Sequence, residues 1–287
     1  MELSAPVARV CRVLEAPRST IYARQSRVIS IEQAKRGPVT EFSDDELLDL
    51  IRWVIRTSPF TGEGYRKVTA HLRRDYDCRV GRKRVLRLMR QAGLLAPQRS
   101  KRRRKPRAHD GTIIPDAPDV MWGTDATMAY TQVDGWVWVF GCVDHYTAEG
   151  WASVARRGDR FACLEPIYDA VRSHFGVVDK DVARGLSMRH DWGPQYTSGH
   201  FQGALAWLGI QDSPAFCGEP PCNGCAERFI RTLKEQVIWA RTYTTIDELR
   251  QAIASFIERY NSQWLIERHG HRTPREAYQS ARSAVAA

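Results

Sequence analysis

Apolar positions follow helical spacing in the first third of the chain and strand spacing in its middle. From Ser43 to Thr57, Leu47, Leu48, Ile51, Val54 and Ile55 fall on one helical face. Ser43 with Glu46 three residues on is a capping box, and Pro59 and Gly62 stop the helix. A second helix over Tyr65–Arg74 lines up Tyr65, Val68 and Leu72, and a turn follows over Asp75–Gly81. A third, Arg82–Ala92, turns Val85, Leu88 and Met89 inward and Arg82, Lys83, Arg84, Arg87 and Arg90 outward, with Gly93 as its stop. Three short helices with a basic last one suit a helix-turn-helix domain over residues 43–97, its recognition helix entering a major groove. The competing reading is a basic, solvated helix on an all-α subdomain. Residues 1–42 fit a small helical segment turning at Pro17 and Ser19.

From Val120 the period shortens. VMWGTDATMAY is a strand, Asp134-Gly135 a hairpin turn and WVWVFGCVDHY a second strand. Trp136, Trp138, Phe140 and Cys142 point one way and Val137, Val139 and Val143 the other, so this strand is covered on both faces. A third strand is expected at Trp151–Ala155, a helix at Phe161–Phe175, a strand at Leu186–His190, a helix at Gly199–Leu208 and a short strand at Ile210–Ser213. The helix starting at Ala226 is followed by another over Thr245–Tyr260, capped by Thr245 with Glu248 and striped by Ile246, Leu249, Ile253, Phe256, Ile257 and Tyr260. Residues 281–287 are expected to fray.

Charge adds a partner. The 287 residues carry a net charge of +10, which favours a polyanion. Seven of the nine residues in RSKRRRKPR (Arg99–Arg107) are basic. Such a run repels itself and reads as a linker over residues 98–117, with Lys101, Arg102, Arg103 and Arg104 available to phosphates. The seven cysteines lack the paired spacings of a disulfide framework, and of Cys217, Cys222 and Cys225 only the last two have zinc-ligand spacing, with no second pair or nearby His. No apolar run is long enough to span a membrane, and Arg9 and Arg12 break any secretory signal, so a cytoplasmic, nucleoid-associated protein is expected.

Three carboxylates carry the chemistry. Asp125 interrupts an apolar strand, where a charge is costly unless paired or metal-bound. Asp191 ends a short apolar run, and Glu227 opens a helix after 35 intervening residues, with Arg231 and Lys234 farther along the same face. Mg²⁺ and Mn²⁺ take oxygen ligands, and a two-ion site clamps both the attacking and the leaving oxygen of a phosphodiester.

The segments WGTDAT (Trp122–Thr127), DWGPQYTS (Asp191–Ser198) and NGCAERFIRTLK (Asn223–Lys234) resemble the DDE integrase core of IS3-type insertion-sequence transposases, relatives of the retroviral integrases. The resemblance covers roughly residues 40–280, and GYRKVTAHLRR…KRVLRLMRQAGL is similar to the helix-turn-helix segment that precedes this core. His190 and Trp192 depart from the family pattern, as does the middle of YNSQWLIERHGHRTPREAY. The resemblance implies an α/β, ribonuclease-H-like mixed sheet with flanking helices over 118–280, preceded by an all-α subdomain. It implies Asp125, Asp191 and Glu227 as catalytic, metal-binding residues holding two Mg²⁺ or Mn²⁺ ions, and Lys234 as a contact to the transposon end. Arg231, Asn223, Arg66, Lys67, Arg82, Lys83, Arg84 and Arg87 are further DNA-contact candidates.

The activity so implied is cleavage and strand transfer of double-stranded DNA at insertion-sequence ends by a homo-oligomer. The alternatives are a DNA-binding protein with an inactive core and a ribonuclease-H-like nuclease without strand transfer. Relatives are often made as a fusion with an upstream-frame partner carrying its own helix-turn-helix and leucine zipper. This chain shows no heptad run, so it is expected to correspond to the downstream half.

Overall fold

The computed structural model describes residues 7–13, 15, 17–19, 22, 41–97, 113–215 and 223–286. It divides into a unit of Met1–Asp44 and a second of Asp45–Ala287. The first contains helix α1 (Val7–Val13). The rest of the expected N-terminal turn, the basic run, and Cys217 and Cys222 lie outside the described residues.

In the second unit α2 (Asp44–Thr57), α3 (Tyr65–Asp75) and α4 (Arg82–Gln91) pack through the residues the periodicity selects. Leu47, Ile51 and Val54 are buried, as are Val68 and Leu72, and Val85, Leu88 and Met89. The Arg73 guanidinium closes the α3–α4 turn by donating to the Val80 carbonyl at 2.7 Å. Gly93 ends α4 at φ 68°.

Five strands form one mixed sheet in the order β3-β2-β1-β4-β5, with β1 (Met121–Thr131), β2 (Gly135–Asp144), β3 (Gly150–Ala155), β4 (Ser187–His190) and β5 (Gln211–Pro214). β1, β2 and β3 pair antiparallel, while β4 and β5 run parallel to β1. β2 is sandwiched as its two apolar faces require. Val137, Val139 and Val143 join one core with α7 (Gly224–Leu233) and α8 (Ile246–Gln263). Phe140 and Cys142 join another with α5 (Glu165–Phe175) and α6 (Gly199–Leu208). Trp136 departs from the pattern: 62% exposed, it meets Tyr130 edge-on at the hairpin. The last helix, α9 (Pro274–Ala286), continues through the tail that the sequence reading leaves frayed. Thr273 caps its start by accepting from the Glu276 amide at 3.2 Å.

Glycines on the sheet make room for α7. Gly123, Val143 and Gly150 share one cross-strand row; Asp125, Gly141 and Ala152 share the row two residues along. A Cβ on Gly150 would sit 2.3 Å from the Phe229 ring, and one on Gly141 2.9 Å from Ile230. A Cβ on Gly123 would lie 2.5 Å from His145 Nε2, 3.1 Å from Asn223 Oδ1 and 3.3 Å from Ala226 Cβ. Asp125 shares this face with Gly123.

The opposite layer is fastened by a buried charge cluster. His174 of α5 places Nδ1 2.6 Å from Asp119 and Nε2 3.3 Å from Glu149, with Tyr278 of α9 stacked on its ring and donating to Asp119 at 3.1 Å. Burial pulls the imidazole pKa down, but the two carboxylates outweigh it and raise it to about 9.

Two outcomes follow from this packing. Gly123→Ala has to displace the buried His145 ring or the start of α7, and should cost about 1–3 kcal/mol in denaturant unfolding; parental stability would contradict the close seating. For His174, a folded pKa raised above the unfolded value gives stability that is full below about pH 6.5 and lost as pH rises through about 9. The stability gap between the parent and His174→Gln should therefore shrink by roughly 2–3 kcal/mol between pH 6 and pH 10. A flat difference would show that the imidazole is not held charged.

Candidate active site

Asp125 lies on β1 opposite Gly141 of β2, partly buried, and its Oδ1 accepts from the Ala126 amide at 2.8 Å. The adjoining stretch of β1, Met121–Gly123, pairs in parallel with Ser187–Arg189 of β4. β4 ends at His190, so the next residue, Asp191, emerges at the carboxyl end of the strand beside Asp125. Asp191 is exposed, and its Oδ1 accepts from the Gly193 amide at 2.9 Å.

The two residues that depart from the family pattern fasten this turn from both sides. His190 is buried, with Nδ1 2.6 Å from the Asp191 carbonyl and Nε2 2.6 Å from Asp212 on β5. Its ring packs against Tyr196 and Phe201. Trp192 is exposed, but its indole N–H donates to the Ala215 carbonyl at 2.6 Å. Sequence reasoning noticed both residues as oddities and missed this role. The partner Asp212 stands on the short strand expected at Ile210–Ser213, where no local signal marked it.

Glu227 sits in the first turn of α7 on its exposed side. Asn223 precedes the helix, is buried, and donates from Nδ2 to the Thr124 carbonyl at 3.0 Å, one residue from Asp125. The start of α7 is thus tied to the strand that carries Asp125. Lys234, one residue past α7, is half-buried and close enough to act on Asp125.

Asp125 feels the other two acids. Burial raises the Asp125 pKa to about 6, the negative charges of Asp191 and Glu227 push it the same way, and the Ala126 amide and Lys234 oppose them. Partial burial raises Glu227 as well. Among the described residues no three His, Cys, Asp or Glu side chains close into a single metal shell. Cys225 is a free, half-buried thiol.

The DNA-contact candidates separate into groups. Lys83 and Arg87 are exposed on α4, and Arg84 is half-buried. Arg66 meets Glu267 at 3.1 Å and Arg82 approaches the same carboxylate at 3.6 Å. Lys67 is half-buried over the Trp264 ring, 2.9 Å from its centroid, and burial lowers its amine to about 8 against the pull of Glu63. Arg231 pairs with Glu235 at 3.0 Å. Asn223 faces the sheet. Lys101, Arg102, Arg103 and Arg104 lie outside the described residues.

Comparison with known proteins agrees with this architecture. Residues 43–102 match the HTH-like domain and residues 208–274 the integrase core domain. A transposase of insertion sequence element IS986/IS6110 from Mycobacterium tuberculosis is 31% identical over 266 residues, covering 86% of this chain and 93% of the relative. The transposase of element IS629 from Shigella sonnei is 29% identical over 227 residues, 75% of this chain and 73% of that one. Among solved structures, a chain of the simian T-cell lymphotropic virus intasome in complex with a PP2A regulatory subunit superposes with a TM-score of 0.50 at 18% identity, covering 81% of this chain and 75% of that one, which shows a shared fold. With a helix-turn-helix-like domain, an integrase core and a relative matched along nearly its whole length, the chain belongs to the insertion-sequence transposases of the IS3 type, polynucleotidyl transferases that cleave DNA in transposition.

Proposed function

We propose that this transposase works through Asp125, Asp191 and Glu227 as a DDE triad holding two divalent cations, Mg²⁺ or Mn²⁺. It is supported most strongly by the parallel pairing of β1 with β4, which ends next to Asp191, and by the Asn223–Thr124 hydrogen bond that ties the start of α7 to the strand of Asp125. Negative charge concentrated from β1, the end of β4 and α7 is unfavourable until a cation neutralises it. Asp125, Asp191 and Glu227 would hold the ions. Divalent ions there supply charge stabilisation at the phosphate and an activated nucleophile at neutral pH.

The chain's own residues position. The Ala126 and Gly193 amides each hold one oxygen of Asp125 and Asp191, which orients the other oxygen. Lys234, beside Asp125, suits a non-bridging phosphate oxygen. The reaction proceeds by hydrolysis at the element's end, then in-line attack of the freed 3′-hydroxyl on target DNA, and needs no nucleophilic Ser or Tyr. Lys83 and Arg87 on the exposed side of α4 suit double-stranded DNA. The working form on this reading is a homo-oligomer on paired ends, joined by an upstream-frame partner where the element encodes one. A nuclease without strand transfer is the second reading, and an assay with pre-cleaved 3′-hydroxyl ends separates the two.

Replacing the triad by Asn, Asn and Gln should cut metal-dependent end cleavage by roughly a hundredfold or more and leave gel-shift affinity within a few-fold; persistent cleavage by the triple variant would refute the assignment. Asp125→Asn should also stabilise the metal-free protein. A carboxyl whose folded pKa is raised to about 6 loses stability as pH climbs from about 4 to 6. The variant should therefore gain roughly 1–2 kcal/mol at pH 7 and nothing near pH 4. A loss at pH 7 would mean that the carboxylate is not held against repulsion.

A further inference from the structure

The helix-turn-helix-like helices are seated on the catalytic core by contacts of two strengths. Phe60, buried, meets Phe256 and Trp264 edge-on at 6.3 and 4.9 Å. Thr61 exchanges hydrogen bonds with the Gln236 amide just beyond α7, donating its N–H and accepting at its carbonyl, both at 3.0 Å. These join apolar area and paired polar groups. The surrounding ion pairs are exposed: Arg66 and Arg82 with Glu267, and Arg74 with Glu276 at 2.6 Å. Exposed pairs are weak, so these guanidinium groups exchange partners readily.

Between the seated helices and α7 opens a cleft of about 990 Å³, with Tyr65 and Arg66 on one wall and Glu227, Arg228 and Arg231 on the other. A second cavity of about 790 Å³ is lined by Arg66, Arg73, Arg74, Arg82 and Arg272. Arg66 belongs to both. A guanidinium-rich path therefore leads from Arg82, the first residue of α4, past Arg66 to Glu227. Arginine forks suit phosphate oxygens.

We propose that this path carries a DNA backbone, so that the DNA read by α4 is cleaved at the Glu227 site of the same chain, in cis. The proposal rests on the triad reading above. The aromatic seat of Phe60 fixes the geometry, and the exposed glutamates hold the arginines until phosphate displaces them.

Two measurements test it. Arg228→Ala should weaken end binding and lower the slope of log K against log salt by about one; an unchanged slope would overturn the path. In the second, Asp191→Asn, with α4 intact, is mixed with Lys83→Glu/Arg87→Glu, with the triad intact, each carrying its own affinity tag, and sequential pull-down shows both on one DNA. Cleavage in cis leaves the mixture as inactive as either variant alone. Restored cleavage in the mixture, or cleavage by the α4 variant alone, would overturn the proposal. If Asp191→Asn alone still cleaves, the triad assignment has failed instead.

Discussion

The close seating of α7 on the sheet is the contact on which the site depends. Glycines at three strand positions let its apolar side reach the backbone of β1, β2 and β3. Phe229 and Ile230 fill that space, and the Asn223 amide ties the start of the helix to the Thr124 carbonyl. Glu227 thereby stands over the strand that carries Asp125. Residues with a Cβ at these positions would lift the helix and separate the carboxylates, so a packing requirement and a chemical one coincide.

That seating works against electrostatics. Asp125 is partly buried near two other acids, and both burial and their charges raise its pKa. The fold offsets this with rigid surroundings. His190 is held between the Asp191 carbonyl and Asp212, Trp192 is tethered to Ala215, and the His174 cluster fastens α5 and α9 to the opposite side. A locally unfavourable charge cluster held by its surroundings is the usual relation between function and stability.

Much of this was legible in the sequence. The apolar periods of α2, α3 and α4, the two covered faces of β2 and the Thr245 cap of α8 appear as read, because each depends on neighbours within a few residues. The strand end before Asp191 and the helix start near Glu227 could be read because both leave composition signals. What could not be read were contacts between distant segments. Nothing in the linear pattern of Phe60, Thr61 and Arg74 announces Trp264, Gln236 and Glu276, and no periodicity distinguishes Asn223 as a tie to the sheet from Asn223 as a surface group. The same holds for Lys67. Its charge suggested DNA, whereas it lies half-buried over Trp264 beside Glu63.

The most direct test of the central claim is to locate Mn²⁺ by its anomalous scattering in crystals of the protein with insertion-sequence-end DNA. The expected result is two peaks roughly 3.5–4 Å apart, bounded by Asp125, Asp191 and Glu227, both disappearing in Asp125→Asn. Peaks at other carboxylates, or unchanged occupancy in that variant, would contradict it.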